Sequence, residues 1–229
     1  MQAVILAGGK GTRLKPITDF VPKPLIPVNN IPVIEWQIKY LKKFGINEFV
    51  ICSGYKTEQL EQHLMHMQKF GAKIDYSVEK NPLGTGGAIK NAAKRIRGDS
   101  FLVLNGDVIT TIDIRKLLLE KNAIALVELR TRFGTVNLLE DKIINFSEKK
   151  PIQNIWMNAG IYHLDKKMVK DLPRKGAIEE ETFRKYASEK KLTGVKFKNV
   201  LWFSIDSHKD LEECSESMKN KKYESFFTK

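Results

Sequence analysis

Short apolar runs that stop at glycine or at Asn-Gly alternate, over the first 130 residues, with stretches whose apolar positions recur every three or four residues. Gln2–Leu6 is an apolar run ended by glycines, the pattern of a parallel strand buried on both faces. Asn30 and Pro32 mark a helix start, after which Val33, Ile34, Ile38, Leu41 and Phe44 keep near-helical spacing until Gly45. Phe49–Cys52 and Ile74–Val78 read as further strands. Between them a helix runs from Thr57 to about Lys69, with Leu60, Leu64 and Met67 on one face. Gly84–Arg97 reads as a loop running into a helix, and Phe101–Leu104 as a strand ending at Asn-Gly-Asp. Asp113–Lys121 follows as a helix and Ile124–Leu129 as a strand.

Beyond Arg130 the pattern loosens. Thr135–Leu139, Ile143–Ser147, Ile161–Leu164, Val195–Lys198 and Trp202–Ile205 read as strands, and Ile178–Lys190 and Ser207–Met218 as helices. The first half is therefore a strand–helix alternation. It predicts an α/β, Rossmann-like fold with a mostly parallel central sheet and helices on both faces. The second half is expected to build a wall or lid over the first. No repeat or low-complexity linker divides the chain, so residues 1–229 are expected to form a single domain. In such sheets ligands sit beyond the carboxyl ends of the strands. The glycine loop after Leu6, the segment Glu79–Gly87 and Asp107 all fall there.

Composition narrows the class. The 229 residues suit about one domain, and 42% hydrophobic with 29% charged residues is ordinary for a globular protein. No apolar run approaches the ~18 residues of a membrane span, and the N-terminus has no basic stretch of the signal-peptide kind. Cys52 and Cys214 are too few for a disulfide framework or a zinc site, which points to a reducing, cytoplasmic setting. Thirty-nine basic residues against 27 acidic ones leave a formal net charge of +12. Lysines spread for solubility, a phosphate-rich ligand and nucleic acid would each explain it. The excess gathers in residues 1–45 and 79–97, around the glycine-rich loops, with no aromatic ladder for stacked bases. Small phosphate ligands fit that placement better than nucleic acid does.

The segment Leu6-Ala-Gly-Gly-Lys-Gly-Thr-Arg13 follows the first strand directly. Glycines let backbone N–H groups approach an anion closely and form a phosphate-binding nest. It is not a dinucleotide fingerprint, because Leu14 stands where the third glycine belongs, and no Gly-Lys-Ser/Thr closes a Walker loop. Pro22-Lys23-Pro24-Leu25-Ile26-Pro27 then brackets one lysine with prolines, presenting its ammonium in a defined place. The four histidines, His63, His66, His163 and His208, are scattered or on a polar helix face, and no role is assigned to them.

These residues resemble a known family. LAGGKGTRLKPIT with VPKPLIPV is similar to the signature of the sugar-1-phosphate nucleotidylyltransferases, and the likeness runs over about residues 1–212. It implies the nucleotide-diphospho-sugar transferase fold, with residues 1–130 as a nucleotide-binding half and 131–212 as a sugar-binding half. Residues 213–229 are left as a charged tail. No hexapeptide-repeat module of the kind found in many relatives is present in the sequence. The implied reaction joins an NTP and a sugar 1-phosphate into an NDP-sugar and pyrophosphate. It is an in-line displacement by an already ionised phosphate oxygen, so it requires no general base.

By that resemblance Arg13 and Lys23 are the catalytic cations. Leu6, Ala7, Gly8, Gly9, Gly11, Thr12, Glu79, Pro82, Gly84, Thr85 and Asn105 bind the nucleotide. Gly134, Thr135, Glu148, Lys149 and Asn158 bind the sugar phosphate, and Asp107 and Asp206 hold Mg²⁺. The implied partners are an NTP and a sugar 1-phosphate, with neither nucleic acid nor membrane, in a homo-oligomer (dimer or tetramer).

Two positions refine the picture. Glu79 stands where pyrimidine-using relatives typically carry a glutamine. A carboxylate only accepts hydrogen bonds, and guanine alone presents two adjacent donors, so GTP is the expected nucleotide and a mannose or manno-heptose 1-phosphate the expected sugar. The other reading has Glu79 turned to solvent or paired with Lys80, and the same reaction run with UTP, dTTP or CTP on a glucose-type sugar. The second departure is Ser204, which stands where most relatives place the second metal aspartate, while the carboxylate comes two residues later at Asp206. Asp206 is then either that ligand, on the same strand face, or a cap of the helix near His208. A non-catalytic sugar-nucleotide sensor would need the pocket but not Arg13, Lys23 and Asp107 together.

Overall fold

Alternate residues of the central strands serve two different cores. The computed structural model describes residues 1–69, 71–131, 133–148 and 151–227. Seven strands make one sheet: β1 (Gln2–Leu6), β2 (Glu48–Ser53), β3 (Lys73–Val78), β4 (Ser100–Asn105), β5 (Ala123–Arg130), β6 (Pro151–Asp165) and β7 (Thr193–Phe197). Ala3, Ile5, Phe49, Ile51, Leu102 and Leu104 point to one face, against the helices Val33–Lys42, Thr57–Lys69 and Ile114–Leu118. Val4, Val50, Phe101 and Val103 point to the other, against the helices Gly84–Ala92 and Thr182–Ser188. This period-two division explains why the strands are apolar at nearly every position. Each fully buried Ile or Leu contributes about 1.5–3 kcal/mol.

The strands lie in the order β7–β5–β6–β4–β1–β2–β3. Neighbours run parallel except around β6, which is antiparallel to both β4 and β5. The mostly parallel sheet with helices on both faces is therefore as expected.

The second half differs from its expectation. Rather than lying over the first half, its strands β6 and β7 extend the same sheet beside β4 and β5. Two strand pairs of this half stand apart from that sheet: Trp202–Ser204, which pairs back onto Val108–Thr110, and the hairpin Thr135–Leu139 with Lys142–Ser147, which leaves Leu138, Ile143, Ile144 and Phe146 exposed. The strand expected over Ile161–Leu164 is the end of a 15-residue one. Its first part was hidden because Asn154, Asn158 and Gly160 interrupt the apolar run, and its register shifts twice along β5. Gly160 has φ 68°, and a Cβ there would lie 2.7 Å from the Asn105 amide nitrogen.

The expected charged tail is also corrected. Within residues 213–227 the chain completes the helix His208–Met218 and forms a second helix, Lys221–Phe227. Cys214 and Met218 are buried in a third apolar cluster with Trp36. Phe227 meets the Trp36 ring edge-on at 5.3 Å, and Phe226 lies 6.1 Å from the Tyr40 ring. Alternating charges concealed four apolar positions that a docked helix pair needs.

One glycine sets the height of the crevice floor. Gly106 donates its N–H to the Leu6 carbonyl at 3.0 Å, and a Cβ at 106 would sit 2.2 Å from that oxygen. Gly106→Ala should therefore lower the stability by at least about 2 kcal/mol, since backbone rather than a flexible side chain must give way. Urea unfolding checks this; a midpoint equal to wild type would show that the strand end has room to spare.

Candidate active site

Asp107 is placed from below. Gln37, on the helix Val33–Lys42, is 1% exposed, and its amide nitrogen donates to the carbonyls of Asn105 (2.7 Å) and Val108 (2.9 Å). Together with Gly106 on Leu6, this fixes the turn that follows β4, and Asp107 projects from it beyond the carboxyl end of the sheet. The helix nearby is capped by Asp113, whose side chain accepts from the Arg115 N–H, so Asp107 has no capping task.

The second carboxylate arrives on the strand Trp202–Ser204, which pairs antiparallel with Val108–Thr110. The Ile205 N–H donates to the Asp107 carbonyl at 2.9 Å, locking the two segments side by side. Lys23 lies between them: its ammonium is 2.6 Å from Asp107 Oδ2 and 2.8 Å from Asp206 Oδ1. Arg13 reaches the same Asp206 oxygen at 2.8 Å while its side chain stays 74% exposed, free to meet a ligand. Burial pushes the Asp206 carboxyl up, but the Lys23 ammonium, the Ser204 hydroxyl and Arg13 outweigh it and hold the group below the usual carboxylate range. Ser204 donates to Asp206 Oδ2 at 3.0 Å. The capping alternative for Asp206 fails, because Ser207 caps the helix His208–Met218 through the Asp210 N–H.

Above this cluster lies a cleft of about 250 Å³ whose walls include Leu6, Ala7, Gly9, Gly11, Thr12 and Arg13, with Lys23, Asp107 and Asp206 at one end. Gly11 has φ 63°, and a Cβ there would touch Thr18 at 2.9 Å and Lys23 at 3.0 Å, so the loop packs directly on the lysine. Gly8 faces Glu79: a Cβ at 8 would lie 3.1 Å from Glu79 Oε1. The other Glu79 oxygen accepts the Leu83 N–H at 2.9 Å. Glu79 is thus neither turned to solvent nor paired with Lys80. Burial raises its carboxyl above the usual range, and the Leu83 hydrogen bond offsets part of that rise.

The segment after Glu79 does more structural work than expected. Pro82 is exposed at the turn. Gly84 has φ 74°, and a Cβ there would sit 2.6 Å from the Gly176 carbonyl oxygen, so this glycine admits the neighbouring loop. The Thr85 hydroxyl donates to Glu179 at 2.8 Å and accepts from the Ile178 N–H at 2.9 Å. Asn105 turns its amide inward toward Gly160, with its oxygen buried and given no protein partner among the described residues. The side chains of Thr85 and Asn105 are therefore directed at the protein rather than into the cleft.

Of the sugar-side residues, Gly134, Thr135 and Glu148 meet at the root of the hairpin. A Cβ at 134 would touch the Phe146 ring at 2.5 Å and Glu148 Oε2 at 2.9 Å, and the Thr135 hydroxyl donates to the Ser147 carbonyl at 3.4 Å. Asn158, on β6, donates to the Tyr162 hydroxyl at 3.0 Å and accepts the Gly160 N–H. Lys149 lies outside the described residues. Glu179 is the residue the sequence did not disclose: it accepts from Tyr162 at 3.0 Å and from Thr85, joining the glycine segment to Asn158. It sits in an acidic triplet with no motif around it, so only the fold reveals it.

The comparisons agree with the fold. The nucleotidyl transferase family matches residues 2–221, and the chain belongs to that family. A D-glycero-alpha-D-manno-heptose 1-phosphate guanylyltransferase from Campylobacter jejuni is 43% identical over 79% of this chain and 84% of its own length. One from Aneurinibacillus thermoaerophilus is 33% identical over 85% and 88%. Among solved structures, HddC from Yersinia pseudotuberculosis superposes with a TM-score of 0.75 at 30% identity, covering 95% of this chain and 99% of that one. Its complex with GMP-PN gives 0.74.

A lowered carboxylate pKa is also a stability statement. Asp206 stabilises the folded state above the unfolded carboxylate value, and that contribution is lost as pH falls through its depressed folded value. The melting-temperature gap between wild type and Asp206→Asn should be open at neutral pH and narrow as pH falls below the ordinary carboxylate range. A gap that widens in acid would contradict the pairing.

Proposed function

We propose that the protein transfers GMP from GTP to a manno-configured sugar 1-phosphate, mannose or manno-heptose, releasing pyrophosphate. The observation that carries the class of reaction is the meeting of Lys23, Asp107 and Asp206 at the end of a glycine-walled cleft. The base preference is carried by Glu79, whose carboxylate lies against Gly8. The relatives and the GMP-PN complex support the same reading, since their names concern guanylyl transfer.

In this reading the N–H groups of Gly8, Gly9, Gly11 and Thr12 face the nucleotide phosphates, and Arg13 neutralises the leaving pyrophosphate. Lys23 holds the phosphoryl group as the sugar phosphate oxygen forms the new P–O bond and the bond to pyrophosphate breaks. The attacking oxygen is already ionised, so no proton has to be removed. Two carboxylates beside the phosphate cleft are the hard oxygen donors that Mg²⁺ takes, and Asp107 and Asp206 would hold it. When bound, the ion supplies further charge neutralisation at the phosphates. Gly134, Thr135, Glu148, Lys149 and Asn158 are assigned to the sugar phosphate, and Pro82 and Gly84 to the nucleoside through their backbone. A homo-oligomer in the cytoplasm completes the proposal.

Pyrophosphate release, screened with five NTPs against a panel of sugar 1-phosphates, tests it. GTP with a manno-type sugar should lead, a preference for a pyrimidine nucleotide would reject the role of Glu79, and no turnover with any pair would favour a sensor. Asp107→Asn should cut kcat by about two to three orders of magnitude with the fold intact; wild-type turnover at saturating Mg²⁺ would remove it from the site.

The raised Glu79 carboxyl adds a pH dependence. Only the ionised form accepts two donors from guanine, and protonation begins at a higher pH than for an ordinary glutamate. KM for GTP should therefore climb as pH is lowered from about 8 to 5, and Glu79→Gln should flatten that climb. An unchanged slope in the variant would assign the titration elsewhere.

A further inference from the structure

On the side of the sheet that carries the helix Val33–Lys42, a cluster of ligand-type side chains stands apart from the cleft. His63 and His66 lie one turn apart on the helix Thr57–Lys69, and both rings meet the carboxylate of Glu35 on the neighbouring helix. His63 Nε2 is 2.8 Å and His66 Nε2 3.4 Å from the same oxygen, Glu35 Oε1. Lys39 approaches the other oxygen, Oε2, at 3.7 Å, leaving Oε1 to the two rings. None of the three residues lines the Lys23 cleft.

The hydrogen bonding around His66 decides what this cluster can do. Its Nδ1 is bonded to the His63 carbonyl oxygen. A carbonyl only accepts, so Nδ1 carries the proton, and a neutral His66 directs its Nε2 lone pair at Glu35. Two acceptors then face each other with no hydrogen between them, a contact that a proton on Nε2 or a bound metal cation relieves. An Nδ1–H donated to a main-chain carbonyl is also the outer hydrogen bond that metal-ligating histidines characteristically make. Two imidazole nitrogens and one carboxylate oxygen, all within 4.8 Å of one another, form a donor set suited to a borderline transition ion rather than to Mg²⁺ or Ca²⁺.

We propose that Glu35, His63 and His66 bind one divalent transition ion of the Zn²⁺ class, with water completing the coordination. The site bridges two helices packed on the same face of the sheet. One of them carries Gln37, which holds the turn beneath Asp107. The ion would brace that helix against its neighbour, a structural task separate from the chemistry of the cleft. The spacing of His63 and His66 alone did not suggest it, because the third ligand comes from 28 residues away on another helix.

Tag-free, chelator-stripped full-length protein is titrated with Zn²⁺ against a chromophoric chelator, with millimolar Mg²⁺ present to occupy hard-oxygen sites. One equivalent should bind. His63→Ala, His66→Ala and the near-isosteric Glu35→Gln should each weaken it at least about tenfold. Zn²⁺ should raise the melting temperature of the wild type but not of the variants. Co²⁺ should give a visible absorption band that is lost in His66→Ala. Turnover with Mg²⁺ alone should be the same in all four proteins. Zn²⁺ affinity no tighter than about 1 mM in the wild type, or binding that all three substitutions leave unchanged, would overturn the proposal.

Discussion

Two carboxylates brought from residues 107 and 206 converge on one ammonium, and the remainder of the site is arranged around those three charges. Left without a cation, two partly buried carboxylates would repel each other and lose solvation. Lys23 removes that penalty at 2.6 and 2.8 Å, with its side chain only 15% exposed. The bonds also tie the N-terminal loop to segments 84 and 183 residues away. In the proposed reaction this carries a consequence for the order of events. A divalent ion and Lys23 compete for the same oxygens, while an anionic nucleotide offers Lys23 another partner. Nucleotide and ion are then expected to favour each other's binding, because each supplies what the other displaces.

The mixed topology serves the same end. A wholly parallel sheet would require every strand to return by a crossover on one face or the other. Placing β6 antiparallel between β4 and β5 lets one long strand run back through the sheet. The reversal puts Asn158 and Gly160 next to the carboxyl end of β4, where Asn105 fills the space a side chain at 160 would need. Tyr162, further along the same strand, then reaches Glu179, whose other oxygen takes the Thr85 hydroxyl. Burial, followed by the Glu179 charge, pushes the Tyr162 phenol well up, so it remains a donor throughout the working range. The Gly84–Thr85 segment and Asn158 on β6 are thus joined by protein hydrogen bonds.

How much of this was legible in the chain follows from which signals are local. The strands β1, β2 and β4 are buried on both faces and read as uninterrupted apolar runs, so they were visible. The glycine loop and Pro22-Lys23-Pro24 were visible because their backbone demands are written in residue type. The first part of β6 was not, since Asn154, Asn158 and Gly160 break up its apolar run. The terminal helix escaped for a related reason: its anchoring residues, Phe226 and Phe227, lie among lysines. Gln37 and Glu179 were invisible in principle. Each bonds a group more than 60 residues away (Asn105 for Gln37, Thr85 for Glu179), and nothing beside it in the chain signals that.

The position of the second carboxylate shows how the charge cluster is assembled. Ser204 ends its strand, and Asp206, two residues on, supplies the charge that Lys23 and Arg13 pair with. The Ser204 hydroxyl donates to the far oxygen of Asp206, so the last residue of the strand orients the carboxylate that follows it. The strand Trp202–Ser204 ends before Asp206, which frees the backbone there to turn, and the Asp206 N–H is taken up by Asp210 at 3.1 Å. That hydrogen bond and the Ile205 N–H on the Asp107 carbonyl hold the carboxylate from both sides. A negative charge is thereby fixed within reach of Lys23 and Arg13 by a segment that has already left its strand, with the neighbouring serine rather than a strand ladder setting its orientation.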